Sequence, residues 1–516
     1  MVVVPRRPNV LFVMSDDHAF HAMSCYVHHA EGAGRPLLNE TPNIDRLAAE
    51  GARFDACFCT NALCSPSRAS ILTGTYSHVN GVTTLATPLD NSLDNVAKRL
   101  SAGGYATAIV GKWHLGTGPR HQPAGFDYWN VLPGQGDYHD PLTIELGERQ
   151  RRRGYVTDLV TDDALAWLRG EKGGRGSPVG DADAPFFLMV HHKAPHRPWE
   201  PDEKHARLYD DEDLPLPATF DDDHEGRLAA QHANVRVADA LDAMDLKVVP
   251  PEGVGFFEPL PLPSEDELPG YSLETAEGDV VEFSSLEELR HWKYQRYMKD
   301  YLRCVASVDD NLGRLLEYLD RGGLADDTAV FYTSDQGFFL GDHGWYDKRF
   351  AYEESLRMPL VVRYPRDVAP GTAVCEMVLN VDFPATFLDL AGLPVPDHYQ
   401  GRSFVPLLRG QVPADWRRSF YYRYWTNGTF HRVWAHYALR TERYKLIYFY
   451  CDPMGLQGAE EDPHDPFWEL FDLEADPYEL YNLAGEPASA ATLLRLRAEL
   501  RFRQEEVGDS PHPSEG

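Results

Sequence analysis

Short apolar runs alternate with longer helix-like stretches along most of this chain, and this alternation limits the folds that it can adopt. Five runs predict strands, at residues 9–14, 106–110, 186–190, 329–333 and 359–362. They are almost continuously apolar, as expected for strands that are covered on both faces. Helix-like stretches such as 92–102 and 286–320 lie between them. The pattern predicts an α/β protein with a large mixed, mainly parallel sheet sandwiched by helices.

The pattern changes after residue 414. Four aromatic, strand-like segments then follow one another, at 420–425, 437–441, 444–449 and 469–473. A final helix is predicted near 490–506. We therefore predict a larger catalytic domain over 1–414 and a smaller C-terminal α+β subdomain over 415–516, built from a small antiparallel sheet and a helix. Within the larger domain, the Pro-rich residues 225–285 predict a peripheral insertion near the site entrance.

Charge and composition limit the partners of the chain. Its 516 residues carry a formal net charge of −31. Such a charge repels nucleic acid and anionic membranes, so we expect neither as a partner, and an anionic substrate would need a local basic pocket. Seven scattered cysteines imply no disulfide framework. The first apolar run is too short for a signal peptide. We expect a cytoplasmic protein, or a secreted or periplasmic one if a leader precedes this sequence.

Polar residues that can bind ions follow four of the predicted strands. They are Asp16-Asp17 after the first, Lys112 and His114 after the second, His196 beyond the third, and Asp335-Gln336 after the fourth. Ligands of open α/β sheets bind beyond the carboxyl ends of the strands, so we expect these side chains to meet at one edge. Aspartate and amide oxygens suit Ca²⁺ or Mg²⁺ better than zinc. The three aspartates and the amide of Gln336 therefore predict a cation site.

The segment CSPSRASILTG, from Cys64 to Gly74, predicts a short helix that begins beside a cysteine. Ser65 can cap it, Pro66 suits its first position, and Gly74 can end it. Cys64 and Arg68 are four residues apart, so both can face the same side. A reactive group, the positive end of a helix and a fixed cation would then face one anion.

Cys-x-Pro-Ser-Arg followed by Leu-Thr-Gly resembles the signature of the type I sulfatases of the alkaline phosphatase superfamily. Gly-Lys-Trp-His-Leu-Gly at 111–116, Ala-Pro-His at 194–196 and Asp-Lys at 347–348 are also similar to motifs of that family. The resemblance covers nearly the whole chain and is greatest to bacterial N-acetylglucosamine-6-sulfatase-like and related glycosaminoglycan sulfatases. It implies an alkaline phosphatase/sulfatase-like fold and a sulfuric ester hydrolase that acts on a small sulfated carbohydrate.

The resemblance also implies cofactors and roles. A formylglycine-generating enzyme would convert Cys64 to formylglycine, whose hydrate attacks sulfur. Ca²⁺ is the implied metal, with Mg²⁺ or Mn²⁺ as alternatives, and its implied ligands are Asp16, Asp17, Cys64, Asp335 and Gln336. Gln336 stands where the family more often has Asn. The implied catalytic residues are Cys64, Arg68, Lys112, His114, His196 and Lys348.

Several alternatives stay open at this point. A phosphonate monoester or phosphodiester hydrolase of the same superfamily would share most of these residues. A catalytically silent protein that binds sulfated glycans would keep Cys64 as a thiol. His343 could bind substrate or orient its loop. The acidic surface favours exo action on small fragments, and a homo-oligomer is also left open.

Overall fold

The computed structural model describes residues 7–27, 36–173 and 184–515. Its main feature is a ten-stranded sheet. In spatial order the strands are Thr372–Val374, Ala52–Phe54, Leu360–Arg363, Thr328–Ser334, Asn9–Ser15, Phe186–His191, Ala106–Lys112, Tyr128–Leu132, Leu142–Glu145 and Glu148–Arg151. The five consecutive strands from Thr328–Ser334 to Tyr128–Leu132 are parallel. The prediction of a large mixed, mainly parallel sheet is confirmed.

All five predicted strands are present, each within two residues of its predicted bounds. Leu360–Arg363 runs antiparallel to its neighbour Thr328–Ser334. A parallel connection needs a long crossover, usually a helix. The connection between these two strands contains no long helix: it has one 3-10 turn, Asp342–Gly344, one short turn of α-helix, Glu353–Leu356, and the two-residue strand Arg357–Met358. The chain therefore turns back along the neighbouring strand instead of crossing over.

Alternate residues of the central strands feed two separate apolar cores. Val10, Phe12 and Met14 lie in one core, while Leu11 and Val13 lie in the other. The helices Cys64–Thr73, Val96–Ala102 and Asp382–Leu390 cover the first face, and Pro42–Ala49, Val156–Leu168 and Leu286–Arg321 cover the second. Shorter helices are Ser24–Val27, Ser77–Asn80, Leu228–His232, Ala243–Leu246 and Val405–Leu408. No helix in the described ranges is both long and apolar enough to cross a bilayer.

The helix at the cysteine motif begins one residue earlier than its predicted cap. It spans Cys64–Thr73, and the extended Leu63 is the N-cap residue. Ser65 therefore lies inside the first turn, where its hydroxyl donates to the carbonyl oxygen of His114 at 2.7 Å. The prediction that Ser65 caps the helix is wrong, because the loop at His114 takes its hydroxyl. Gly74 ends the helix with a φ of +67°, as predicted.

The C-terminal part forms the predicted small antiparallel sheet. Its strands are Ser419–Tyr424, His436–Thr441, Tyr444–Phe449 and Phe467–Asp472, and the helix Ala490–Glu506 packs on them. A three-stranded sheet of Arg357–Met358, Cys57–Phe58 and Val378–Leu379 and a hairpin of Ser272–Glu274 and Val280–Glu282 complete the strands of the described residues. The domain boundary after residue 414 stays a prediction.

Buried acidic groups lie between the C-terminal sheet and the loop that follows Phe350. The ammonium of Lys445 is 2.9 Å from Glu353 and 2.7 Å from Glu479. Glu469 accepts a hydrogen bond from the Tyr352 hydroxyl at 3.0 Å. Burial raises the pKa of Glu469 from 4.5 to about 8. This carboxyl is therefore protonated in the fold at neutral pH.

Replacing Glu469 with Gln should change how stability depends on pH. A pKa raised in the folded state contributes stability that is present below about pH 4.5 and is lost as pH rises through about 8. The variant lacks this ionisation, so its melting temperature should exceed that of the parent above pH 8 and approach it towards pH 5. Melting curves from pH 5 to 9 measure this, with the exposed Glu474→Gln as control. Parallel curves for Glu469→Gln and the parent would contradict it.

Candidate active site

The carboxyl ends of four parallel strands and the first turn of one helix meet at one edge of the large sheet. Every residue predicted for the site contributes to this edge: Asp16, Asp17, Cys64, Arg68, Lys112, His114, His196, Asp335, Gln336 and Lys348. The parallel order of the strands explains the convergence, because their carboxyl ends point the same way. The sheet therefore assembles residues that are up to 332 positions apart, from 16 to 348.

Arg68 joins the cysteine helix to three strands. Its Nε donates to Asp335 Oδ2 at 2.9 Å, and its Nη2 donates to Asp16 Oδ2 at 3.0 Å. Its Nη1 donates to the carbonyl oxygen of Lys112 at 2.8 Å. The side chain is only 1% exposed. Because all three partners are fixed by strands, the guanidinium sets the position of the helix that carries Cys64.

Two buried lysines neutralise the neighbouring aspartates. The ammonium of Lys112 contacts Asp16 Oδ2, and the ammonium of Lys348 contacts Asp17 Oδ1. The Nε2 of His196 lies 3.8 Å from Asp17 Oδ2. Lysines, an arginine and a histidine thus surround the carboxylates. Such a set can hold the oxygens of an anionic ester.

The oxygens of this site suit a divalent cation. One carboxylate oxygen from each of Asp16, Asp17 and Asp335 lies within 4.8 Å of the others. The Nε2 of Gln336 donates to Asp17 Oδ1, so the amide oxygen of Gln336 takes no part in this bond. Two buried oxygens, Asp16 Oδ1 and Gln336 Oε1, have no hydrogen-bond partner among the described residues. Unpartnered buried oxygens are costly, and a hard cation would satisfy both.

The pKa values of the three aspartates indicate that the site holds too little positive charge to ionise all of them. Burial disfavours the ionised form of Asp16, but Lys112 and the other cations outweigh it and hold its pKa well below the usual range. Burial, with Asp16 and Asp335, raises the pKa of Asp17 to about 8. Burial and Asp16 raise the pKa of Asp335 as well. The resident cations do not suffice to ionise all three groups, which a divalent cation would do.

Cys64 is unsuited to thiolate chemistry. Its side chain is buried, and burial raises its pKa to about 12 despite the nearby Lys348. Reactive cysteines have lowered pKa values, because only the thiolate is a good nucleophile. An unmodified Cys64 would therefore stay a neutral thiol at physiological pH.

The two predicted histidines are neutral in the fold. Burial lowers the pKa of both His114 and His196 well below the usual range. The Nδ1 of His196 lies 2.7 Å from the carbonyl oxygen of Arg197. Because a carbonyl oxygen only accepts, Nδ1 carries the proton and Nε2 faces Asp17 as an acceptor. His114 leaves its buried Nδ1 without a partner among the described residues.

Two supporting contacts were missed at the sequence level. Gln135, in the loop after Tyr128–Leu132, accepts a hydrogen bond from the Lys112 ammonium. That strand was not predicted, although the apolar residues 128–132 gave a signal. Ser67 donates to the carbonyl oxygen of Asp335 and accepts from Asn380 at 2.9 Å. No sequence signal could identify Asn380, since it lies more than 300 residues from Ser67.

A second missed group flanks Lys348. Asp347 accepts from the Arg349 Nε at 2.9 Å, and the Nε2 of His431 lies 3.3 Å from the other oxygen of Asp347. Asp347 and Arg349 are buried. His431 belongs to the C-terminal part of the chain, so both parts contribute to this side of the site.

His343 is occupied by structural contacts. Its Nδ1 is 2.7 Å from Asp222, which also binds Arg227. The aromatic rings of Phe339, Trp345 and Tyr352 surround it. These contacts favour the interpretation that His343 orients its loop.

The fold and this site define a hydrolase that handles anionic esters at the edge of an α/β sheet. The chain matches the family described as "Sulfatase" over residues 8–393 and the family described as "N-sulphoglucosamine sulphohydrolase, C-terminal" over residues 341–506. The chain belongs to the sulfatase family. The resemblance inferred from the sequence motifs is thereby confirmed.

Individual members of the family and solved structures are also similar to this chain. The chain is 41% identical to the N-acetylglucosamine-6-O-sulfatase of Bacteroides thetaiotaomicron, across 98% of this chain and 88% of the relative. A solved structure in complex with its substrate D-glucosamine-2-N,6-O-disulfate superposes with a TM-score of 0.84 and 40% identity, covering 99% of this chain and 100% of that chain. The multifunctional alkaline phosphatase superfamily protein PehA of Trinickia caryophylli is 27% identical, over 94% of this chain and 93% of its own length.

Replacing Arg68 with Met should strongly destabilise the metal-free protein. The change leaves Asp16 and Asp335 buried beside fewer cations, and breaking one side of a buried ion pair costs about 3–5 kcal/mol. Urea unfolding in the presence of a chelator measures the loss. Arg321→Met is the control, because Arg321 pairs with Glu317 on the surface, where such pairs contribute at most about 1 kcal/mol. Equal losses for the two variants would contradict the assigned role of Arg68.

Proposed function

We propose that this sulfatase removes the 6-O-sulfate from a glucosamine residue of a small sulfated carbohydrate. The observation that carries the proposal is the whole-chain similarity to a relative named N-acetylglucosamine-6-O-sulfatase, at 41% identity. The structure solved with a 6-O-sulfated glucosamine as its substrate supports the same choice. Action on chain ends, maturation by a formylglycine-generating enzyme and a cytoplasmic location are further parts of the proposal that rest on the sequence.

The cofactors of this proposal are Ca²⁺ and a formylglycine made from Cys64. When bound, the cation would lower the pKa of a coordinated hydroxyl, and the hydrate of a formylglycine at position 64 would supply that hydroxyl as the nucleophile. The residues that would hold the cation are Asp16, Asp17, Asp335, Gln336 and residue 64. The unpartnered oxygens of Asp16 and Gln336 support this ligand set.

The cationic residues would bind the sulfate group. Arg68, Lys112 and Lys348 supply three positive charges, which equal the charge of the three aspartates when all of these are ionised. With a divalent cation the site becomes net positive inside a protein of charge −31. Such a pocket concentrates an anionic substrate and stabilises its charge during the reaction.

The leaving oxygen of the sugar must receive a proton. His196 and Lys348 are the candidates, because both face Asp17. Burial opposes the charge of Lys348, but Asp17 and its neighbours raise its pKa above the usual value, whereas burial lowers the pKa of His196. Lys348 therefore carries a proton at neutral pH, and we propose it as the donor.

A substrate test separates this proposal from its alternatives. We expect the chain to convert D-glucosamine-2-N,6-O-disulfate to the 2-N-sulfate with release of one sulfate, and to leave glucosamine-2-N-sulfate unchanged. Ion chromatography of free sulfate and mass spectrometry of the sugar measure both. Loss of the N-sulfate, or a higher kcat/KM on an aryl phosphonate monoester than on the 6-O-sulfate, would contradict the proposal.

The same sulfate-release assay tests the role of Cys64. Replacing Cys64 with Ala should abolish turnover, because the nucleophile is built on this residue. The exposed Cys375→Ala is the matched control and should keep full activity. Mass spectrometry of the Cys64 peptide should show that sulfur has been replaced by oxygen and that two hydrogens have been lost, which distinguishes the aldehyde from a serine. An active protein with an intact thiol would refute the formylglycine mechanism, and an inactive one would favour a silent glycan-binding protein.

Metal binding can be measured without turnover. Adding Ca²⁺ to the chelated protein should raise its melting temperature, since a ligand at 100 times its Kd stabilises by about 2.7 kcal/mol. Asp335→Asn should remove this shift, because it removes a ligand charge. Asp211→Asn, in an exposed acidic run, should leave the shift intact. A shift that survives Asp335→Asn but not Asp211→Asn would place the cation elsewhere, and parallel titrations with Mg²⁺ and Mn²⁺ compare the alternative metals.

A further inference from the structure

Residues 235–247 contact both loops that carry the sulfate-binding candidates His196 and Lys348. The segment lies within 225–285, the part predicted as a peripheral insertion. However, Val235, Val237 and Asp245 are fully buried. A buried segment between two catalytic loops can influence the geometry of both.

The first half of the segment is hydrogen-bonded to the chain just before Lys348. The backbone N–H of Tyr346 donates to the carbonyl oxygen of Val235 at 2.9 Å. The backbone N–H of Val237 donates to the carbonyl oxygen of Gly344 at 2.9 Å. These bonds fix the backbone two residues ahead of Lys348.

The second half of the segment holds the side chain of Arg197. The Nε of Arg197 donates to Asp245 Oδ1 at 2.9 Å, and Nη2 contacts the other Asp245 oxygen. Nη2 also donates to Asp242 Oδ2 at 3.0 Å. The guanidinium lies over the ring of Tyr346, 5.6 Å from its centroid. Bidentate arginine–carboxylate pairs fix orientation as well as distance.

The backbone of Arg197 in turn orients two side chains, those of His196 and the neighbouring Lys193. Its carbonyl oxygen accepts from His196 Nδ1 at 2.7 Å and from the Lys193 ammonium at 3.2 Å. Lys193 is also buried and lies 4.6 Å from the centroid of the Tyr138 ring. Asp242 and Asp245 thus fix the guanidinium of Arg197, while its carbonyl oxygen binds His196 and Lys193. A fixed Arg197 therefore restrains the positions of both side chains.

Stability alone does not account for this arrangement. A buried ion pair can often be replaced by apolar residues without loss of stability, so its presence is weak evidence for a stabilising role. Asp242 and Asp245 also cap the four-residue helix Ala243–Leu246 reciprocally, which fixes both carboxylates. The fixed carboxylates of Asp242 and Asp245 bind Arg197 next to His196, and this arrangement fits a positioning role.

We propose that Asp245 is a positioning residue for desulfation, which orients His196 and Lys193 through Arg197. Residues 235–247 fix the position of the loop that carries His196 and Arg197 relative to the loop that carries Lys348. The inference rests on the proposed function only in taking a sulfate group as the ligand.

Asp245→Asn tests the inference, because it removes the charge and keeps the shape. Misplacement of a catalytic group by about 1 Å can cost about 100-fold, so we expect kcat/KM on the 6-O-sulfated glucosamine to fall about 10- to 100-fold. The rise in melting temperature caused by inorganic sulfate should shrink as well. The second measurement needs no turnover and no modified Cys64.

Asp509→Asn is the matched control. Both carboxylate oxygens of Asp509 accept from the Nη1 of Arg423, at 3.0 and 2.9 Å, in a partly buried ion pair in the C-terminal part of the chain. This variant should lose comparable thermal stability while keeping the kcat/KM and the sulfate shift of the parent. Equal kcat/KM values for Asp245→Asn and Asp509→Asn would overturn the inference.

A double-mutant cycle shows whether Asp245 acts through the loop of His196. In a His196→Ala background, Asp245→Asn should lower kcat/KM by a smaller factor than it does in the parent, because one of the two groups that it positions is gone. Full additivity of the two changes would overturn the inference. A parent chain that binds inorganic sulfate but does not hydrolyse the 6-O-sulfate would overturn the proposed function alone, and the sulfate shift of Asp245→Asn would still decide the positioning role.

Discussion

The contacts of Arg68 are the constraint on which the rest of the site depends. Three carboxylates are buried at one sheet edge, and burying such charges without partners is prohibitive. Arg68 binds two of them and also the carbonyl oxygen of Lys112. Because it stands four residues after Cys64, the same contacts bring the cysteine helix to the strand ends. Arg68 therefore both neutralises the buried carboxylates and places Cys64 at the strand ends.

The remaining groups complete the charge balance from more distant parts of the chain. Lys348 reaches Asp17 from a loop whose neighbouring residues contact the C-terminal sheet, since the Tyr422 hydroxyl donates to the Arg349 carbonyl oxygen at 2.6 Å. Asp245 and Arg197 secure the loop of His196. The site is thus built on rigid strands on one side and on loops supported by later segments on the other. Such support is what keeps anion-binding groups in productive geometry.

Much of this arrangement could be predicted from particular residues, and the errors are local. The apolar runs predicted five strands, and the polar residues after four of them predicted the catalytic edge. The cap at Ser65 was wrong because its hydroxyl bonds to the chain near His114, which is distant in sequence. The antiparallel course of Leu360–Arg363 did not follow from its composition, since a buried strand looks alike in either direction. Gln135 was missed together with its strand.

The sequence by itself determined the family and the sheet, and it predicted the ten site residues that the structure brings to one edge of that sheet. These follow from short motifs and from local periodicity, and both depend only on residues that are close in the sequence. Only the tertiary structure decided which oxygens stay free for a cation, as at Asp16 and Gln336. It also decided that Asn380, His431 and Asp245 support the site. These contacts join residues tens to hundreds of positions apart, and only the packing of the folded chain brings such residues together.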